Sequence, residues 1–209
     1  MLHTLIASRW SLVIWWIGAN TVGWAATMGA FEALPRGFEP MVCVIIATAQ
    51  WLALRHQGRV SPWWMAGTSL GWFAGLWASA HFSFFDIPDL LWAGGVGGAL
   101  AGGLQCWTLW RRTSWPMVWA PVSIVASMAG WWVGESVALS ISSLADSWLY
   151  IVGGAIGGIV IGSLSAPGLL WLLRHPKAAS AVPPGRTTID ASLSEAAEQW
   201  KRFYLNPPR

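Results

Sequence analysis

The sequence predicts an all-α polytopic membrane bundle: six transmembrane helices as three parallel-repeated helical hairpins, followed by a short cytoplasmic amphipathic helix. Three observations predict it. Charged residues make up 10% of the 209 residues while 55% are hydrophobic, against roughly 25% charged in a soluble domain. The chain carries 23 Gly and 19 Trp, residues favoured within and at the edges of a bilayer, and its mean hydropathy is +0.50. The few charges alternate in sign from loop to loop. So few charges cannot cover a soluble surface, which excludes a soluble enzyme, a nucleic-acid binder and a disulfide scaffold.

A spanning helix needs roughly 20 mostly apolar residues. Six segments meet or approach that length: Trp10 to Ala30, Phe38 to Leu54, Pro62 to Phe82, Pro88 to Trp110, Pro116 to Ile141 and Trp148 to Leu173, the second being short. The odd-numbered connections hold Glu32, Glu39, Asp86, Asp89 and Asp146 with one base, Arg36. The even-numbered connections and the termini hold the other bases: Arg9, Arg55, Arg59, Arg111, Arg112 and six from Arg174 to Arg209. That is the positive-inside pattern, so both termini are expected in the cytoplasm and the chain in the cell inner membrane as a multi-pass protein. Topology therefore accounts for the net charge of +3 without a nucleic-acid partner. Arg9 and the apolar run after it resemble a signal peptide, but with five further spans behind it the segment reads as an uncleaved first span. Cys43 is expected near the outer end of the second span and Cys106 near the inner end of the fourth, too far apart to pair.

Internal repetition sets the domain organisation. The odd spans share a polar residue followed by Gly-Trp: Asn20 with Gly23-Trp24, Thr68 with Gly71-Trp72, Ser127 with Gly130-Trp131. The even spans share an ending: Gln50-Trp51-Leu-Ala-Leu-Arg55, Gln105-Cys-Trp107-Thr-Leu-Trp-Arg111 and, without the Gln, Leu170-Trp171-Leu-Leu-Arg174. The expected boundaries are a six-span domain over 1–174 with repeats at about 10–55, 62–111 and 116–174, a linker over 175–189 and a tail over 190–209. In these motifs the chain resembles uncharacterised bacterial polytopic membrane proteins, found in cyanobacteria and filamentous phototrophs, built from tandem two-span repeats with Gln-Trp-x-x-Leu-Arg-like endings. The resemblance covers about Trp10 to Arg174 and implies membership and architecture, not an activity.

The glycines form ladders. Gly94, Gly98 and Gly102 are spaced by four, and Gly153 and Gly157 run beside Gly154, Gly158 and Gly162. Small residues at this spacing let helix backbones approach closely, whether against another span, another subunit or a flat ligand. Gly-Gly-Val-Gly-Gly-Ala lies inside a span, which excludes a phosphate loop. Ser163 and Ser165 have no histidine at comparable depth to activate them as nucleophiles. Gln50 and Gln105 are expected to bond to neighbouring backbone.

Trp residues at 10, 15, 16, 51, 63, 64, 107, 110, 115, 119 and 171 fall toward the cytoplasmic ends, and Trp92 and Trp148 toward the outer boundary, as two interfacial belts. Trp24, Trp72, Trp77, Trp131 and Trp132 lie deeper. Asn20 with Trp24, Thr68 with Trp72 and Ser127 with Trp131 each share a helix face, and convergence of the three faces would make a polar-aromatic layer. Glu135 is the ionisable group within a span, about six residues from its outer end, and such groups mark functional sites. His81 is a candidate ligand for a haem or chlorin metal, though the sequence shows no metal cluster and no catalytic constellation. Pro121 and Pro167 are candidates to break helices around a site.

Past the linker, Ser192 and Glu195 form a capping-box pattern, and Leu193, Ala196, Trp200 and Phe203 recur at helical spacing. This reads as an amphipathic segment on the inner leaflet or on a partner. The functional expectation is a non-enzymatic accessory or structural subunit of a larger membrane assembly, photosynthetic or respiratory. Its partners would be lipid and other membrane subunits, and its Gly/Trp faces could pack a carotenoid, chlorin, quinone or lipid. The alternative is a small transporter or binding component for an apolar solute.

Overall fold

The computed structural model describes residues 2–34, 39–55, 60–81, 89–110, 112–141 and 146–177. The amphipathic helix expected over 190–209 lies outside them, as does the His81 side chain. Among the described residues there are six α-helices: α1 (Leu2–Ala33), α2 (Glu39–Arg55), α3 (Trp63–His81), α4 (Asp89–Leu109), α5 (Trp119–Ser140) and α6 (Asp146–Arg174). No strand occurs among the described residues, apart from an isolated bridge between Thr113 and Pro176. The chain divides into two units, Met1–Pro176 and Lys177–Arg209, and all six helices belong to the first. Pro116–Ser140 and Trp148–Arg174 are long and apolar enough to cross a membrane.

Local chemistry sets the helix boundaries. Ser61 and Pro62 open α3, their carbonyls accepting from the N–H groups of Trp64 and Met65 at 3.0 Å each. Pro116, whose fixed φ suits a first helical turn, starts a 3-10 turn that runs directly into α5. Pro121 therefore sits in the first turn of α5, and Pro167 lies inside an unbroken α6. Neither proline opens the helix that carries it, contrary to the sequence expectation: Pro121 falls in the first turn of α5, where backbone N–H groups lack intrahelical acceptors, and α6 continues through Pro167.

Each helix packs against its neighbour in sequence, and α6 returns to α1. The result is a closed ring of six in which even helices alternate with odd ones. At the basic end, where α2, α4 and α6 terminate, Ser114 N–H donates to the His175 carbonyl (3.0 Å) and Ser114 Oγ to the Pro176 carbonyl (3.3 Å). These bonds tie the α4–α5 connection to the end of α6.

Small residues make the ring tight. Gly94, Gly98 and Gly102 of α4 lie against Ser127 and Ser123 of α5. On α6, Gly153 and Gly157 face Gly134 and Gly130 of α5, while Gly154, Gly158 and Gly162 face Trp24, Asn20 and Ile17 of α1. The two adjoining stripes of α6 thus serve two different neighbours, and both ladders are taken up by packing within the chain. Cys43 and Cys106 are buried and unpaired, on α2 and α4.

A methyl group at Gly71 would land on the Ala101 backbone, and one at Gly158 on the Asn20 carbonyl, whereas one at Gly103 meets nothing within 4 Å. Gly71→Ala and Gly158→Ala should each cost about 1 to 3 kcal/mol by overpacking. Gly103→Ala should be neutral or stabilise by up to about 1 kcal/mol through helix propensity. Reversible unfolding of the purified variants in mixed micelles measures all three, and equal stabilities would contradict the packing described.

Candidate functional site

The odd helices α1, α3 and α5 send tryptophans to the ring axis in two layers. The layer nearer the basic end is Trp16, Trp64 and Trp119, at most 2% exposed. Ring centroids are 6.2 Å apart for Trp16–Trp64, 6.0 Å for Trp16–Trp119 and 5.9 Å for Trp64–Trp119. These three were expected in the interfacial belt. They point inward instead, and each indole N–H is taken by a side chain of an even helix. Trp64 Nε1 donates to Gln50 Oε1 (3.4 Å), Trp119 Nε1 to Gln105 Oε1 (2.5 Å) and Trp16 Nε1 to Ser165 Oγ (2.8 Å).

Each glutamine then turns to the odd helix on its other side. Gln50 Nε2 donates to Asn20 Oδ1 (2.9 Å) and Gln105 Nε2 to Thr68 Oγ1 (2.7 Å). Asn20 Nδ2 and Thr68 Oγ1 are themselves donors to the carbonyls of Trp16 and Trp64, at 2.9 Å each. Gln50 and Gln105 thus bond to side chains on both flanking helices rather than to backbone. Ser165 is too short to bridge, and its hydroxyl donates to the Ile161 carbonyl of its own helix (2.6 Å).

This pattern aligns the three hairpins. Gln50, Gln105 and Ser165 are equivalent, with Leu54, Leu109 and Leu169 four residues later in one core cluster, and Ile46, Ala101 and Ile161 four residues earlier in the other. On the odd helices, the residue four after the inner tryptophan is Asn20, Thr68 or Ser123. Ser127, which the sequence motif equated with Asn20 and Thr68, lies one turn further along α5, buried against Gly94 and Gly98. The sequence signal that finds Ser165 and Ser123 is this spacing of four, not the Gly-Trp pair.

The second layer is Trp24, Trp72 and Trp131. Trp72 and Trp131 stack with planes at 17° and centroids 6.0 Å apart. Trp24 stands nearly perpendicular to both, at 4.5 Å from Trp72 and 5.5 Å from Trp131. Trp24 Nε1 is buried without a hydrogen-bond partner. Trp77 and Trp132 are half exposed on the outside of the ring and belong to neither layer.

Beyond this layer, toward the far end, α1, α5 and α6 line a half-open chamber of about 320 Å³, at the lower end of the range for small-molecule sites. Trp24, Trp131 and Ile161 contribute to its deep wall. Glu135 and Tyr150 line it as well, and Tyr150 is exposed at the rim. The remaining lining is Gly, Ala, Leu and Met. Of the sequence candidates, the structure brings Trp24, Trp131 and Glu135 to this chamber. It places Asn20 and Thr68 in the hydrogen-bonded brackets and Trp72 behind the wall. No group of three or more His, Cys, Asp or Glu placed to hold a metal occurs among the described residues.

Removing a bracket strands buried donors. Gln105→Leu leaves the Trp119 indole N–H without its acceptor and should destabilise by about 1 to 3 kcal/mol. Ser165→Ala, which strands Trp16, should cost a similar amount. Trp132→Phe on the exposed face should change stability by less than about 0.5 kcal/mol, and unfolding in micelles measures the contrast. Compared with protein-family models, curated proteins and solved structures, the chain matches none.

Proposed function

We propose that the chain is a six-span, non-enzymatic subunit of the cell inner membrane that holds a small, largely apolar ligand in the α1/α5/α6 chamber and packs against lipid and other membrane subunits. The observation that carries the ligand reading is the filled axis. Two tryptophan layers occupy the centre of the ring, and ligand-sized space lies beyond the second of them. A filled axis supports a binding site closed at its base and speaks against a conduit, so the subunit reading stands ahead of the transporter.

Helix dimensions support six spans. Lengths of 17 to 32 residues correspond to about 26 to 48 Å at 1.5 Å per residue, against a hydrocarbon thickness of about 30 Å. Trp and Gly lower the apparent hydropathy of α3 and α4, yet both are at home in membrane helices. Exposed Trp10, Trp15, Trp63, Trp107, Trp110 and Trp115 cluster toward the basic end, as an interfacial belt would. An even number of spans puts both termini on one side, and the basic loops make that side cytoplasmic. The chamber suits a quinone ring or a section of lipid chain better than a whole carotenoid or chlorin.

Single cysteines placed by Ser114→Cys and Ser143→Cys, with Cys43 and Cys106 replaced, test the topology. An impermeant maleimide should label the second in intact cells and the first after permeabilisation; labelling of both from outside overturns six spans. For the ligand, gentle purification followed by organic extraction and mass spectrometry should recover one enriched small molecule. Leu149→Trp, which fills the chamber, should reduce that recovery at least about tenfold, and a ligand-free, lone monomer would overturn the subunit reading.

A further inference from the structure

We infer that the occupant of the chamber is a single acyl chain of a membrane lipid, inserted lengthwise with its methyl end against the tryptophans and its polar head at the rim. This rests on the six-span reading and on the chamber as a ligand site, and it specifies what enters and which way round. The lining on α6 runs from Leu149, in the first turn, to Ile161, twelve residues and a rise of about 18 Å. On α5 it runs from Gly130 to Leu139, about 14 Å. The long axis of the chamber therefore follows the helices, as the acyl chains of a bilayer do around a spanning bundle. Its depth is close to that of one leaflet, about 15 Å of hydrocarbon.

The two ends of the chamber differ in chemistry. At the deep end stand Trp24, Trp131 and Ile161, where the second tryptophan layer closes the axis. The Trp24 N–H is buried within that layer, so it is not presented to an occupant, and a hydrocarbon terminus suits this end better than a quinone carbonyl. Between the ends, Met28 and the glycines of α5 and α6 offer apolar surface. Glu135 on the α5 wall already has an interaction within the protein, so the occupant need not bring a charge to meet it. At the rim Tyr150 is 43% exposed, one turn from Asp146 at the start of α6. A side chain with an apolar ring and a polar tip suits the level of a lipid's ester groups. Passing from bilayer to chamber exchanges one apolar surrounding for another, so close fit rather than burial selects what is held.

Photocrosslinking of the full-length protein in phosphatidylcholine nanodiscs tests this. One phosphatidylcholine probe carries a diazirine at the end of an acyl chain, a second carries it beside the ester, and a fatty acid carries the terminal diazirine. Peptide mass spectrometry then locates the labelled residues. The terminal diazirine should label Trp24, Trp131 or Ile161, and the ester-proximal one Leu149 or Tyr150. Deep labelling by the phospholipid or by the fatty acid supports the inference, and the probe that labels names the source of the chain. Leu149→Trp and Ala138→Phe, which narrow the chamber from the α6 and α5 walls, should each reduce deep labelling at least about tenfold. Labelling of Trp132 on the outer face should be unchanged in both, which shows that the variants are folded and embedded. Inverted depths, or deep labelling that survives both substitutions, would overturn the inference. Labelling confined to outward-facing residues such as Trp132 would also overturn it. If the extraction described above then recovers a different small molecule, the chamber stands as a ligand site; if it recovers none, that reading falls as well.

Discussion

The physical constraint on which this bundle depends is that a tryptophan in an apolar interior brings an N–H that is costly to leave unpaired. An indole is large enough to fill the centre of a six-helix ring, but each unpaired donor buried there costs about 1 to 3 kcal/mol. The inner layer meets the requirement by taking each acceptor from an even helix: Gln50, Gln105 and Ser165. Because each acceptor sits on the helix next round the ring, the same hydrogen bonds that neutralise the indoles also fix which helices are neighbours. Closure follows from the last of them, Trp16 to Ser165, which joins the first helix to the sixth.

The brackets and the glycines act together in holding the ring. Gln50 and Gln105 are long enough to reach odd helices on both sides, and they do so on α2 and α4. On α6 the bracket residue is a serine, which reaches α1 alone. Gly153 and Gly157 meet α5 while Gly154, Gly158 and Gly162 meet α1. Close backbone packing through glycine supplies attraction of its own, and α4 combines it with a bridging glutamine. The third hairpin is thus the same design with the polar span shortened.

What the sequence disclosed follows the same division. The six helices of the ring and the spacing of their glycines were legible because they depend on order along the chain, although α1 begins at Leu2 and not at Trp10. Azimuth was not, since these helices are apolar on every side and a pattern without a polar face does not say which way a residue points. Trp15 and Trp16 are adjacent, yet one is 57% exposed and the other 1%. Trp63 and Trp64 divide the same way, and in the pair Trp131–Trp132 it is the second that faces out. Depth along the helix therefore suggested interfacial anchors where three of the residues are core. Ser165 was hidden for a different reason: size changed at a position whose role did not, so matching residue types missed it while counting four residues back from Leu169 finds it. The chamber could not be read from the sequence, because it joins Trp24 to residues of α5 and α6 more than a hundred positions away.

Why space remains beyond the second layer follows from how that layer is made. In the inner layer three rings sit at comparable separations and every indole is bracketed. In the second, Trp72 and Trp131 stack on each other and Trp24 stands across them, an arrangement that breaks the threefold pattern. No even helix supplies a partner to the Trp24 indole. On α5 twelve residues separate the two layers, against eight on α1 and α3, so the third repeat does not present its second tryptophan in the register of the other two. The repeat that loses the glutamine also carries this altered spacing, and its two helices supply most of the chamber wall. Divergence of the third hairpin thus relaxes the packing that elsewhere fills the axis, and it places Glu135 on the side left open.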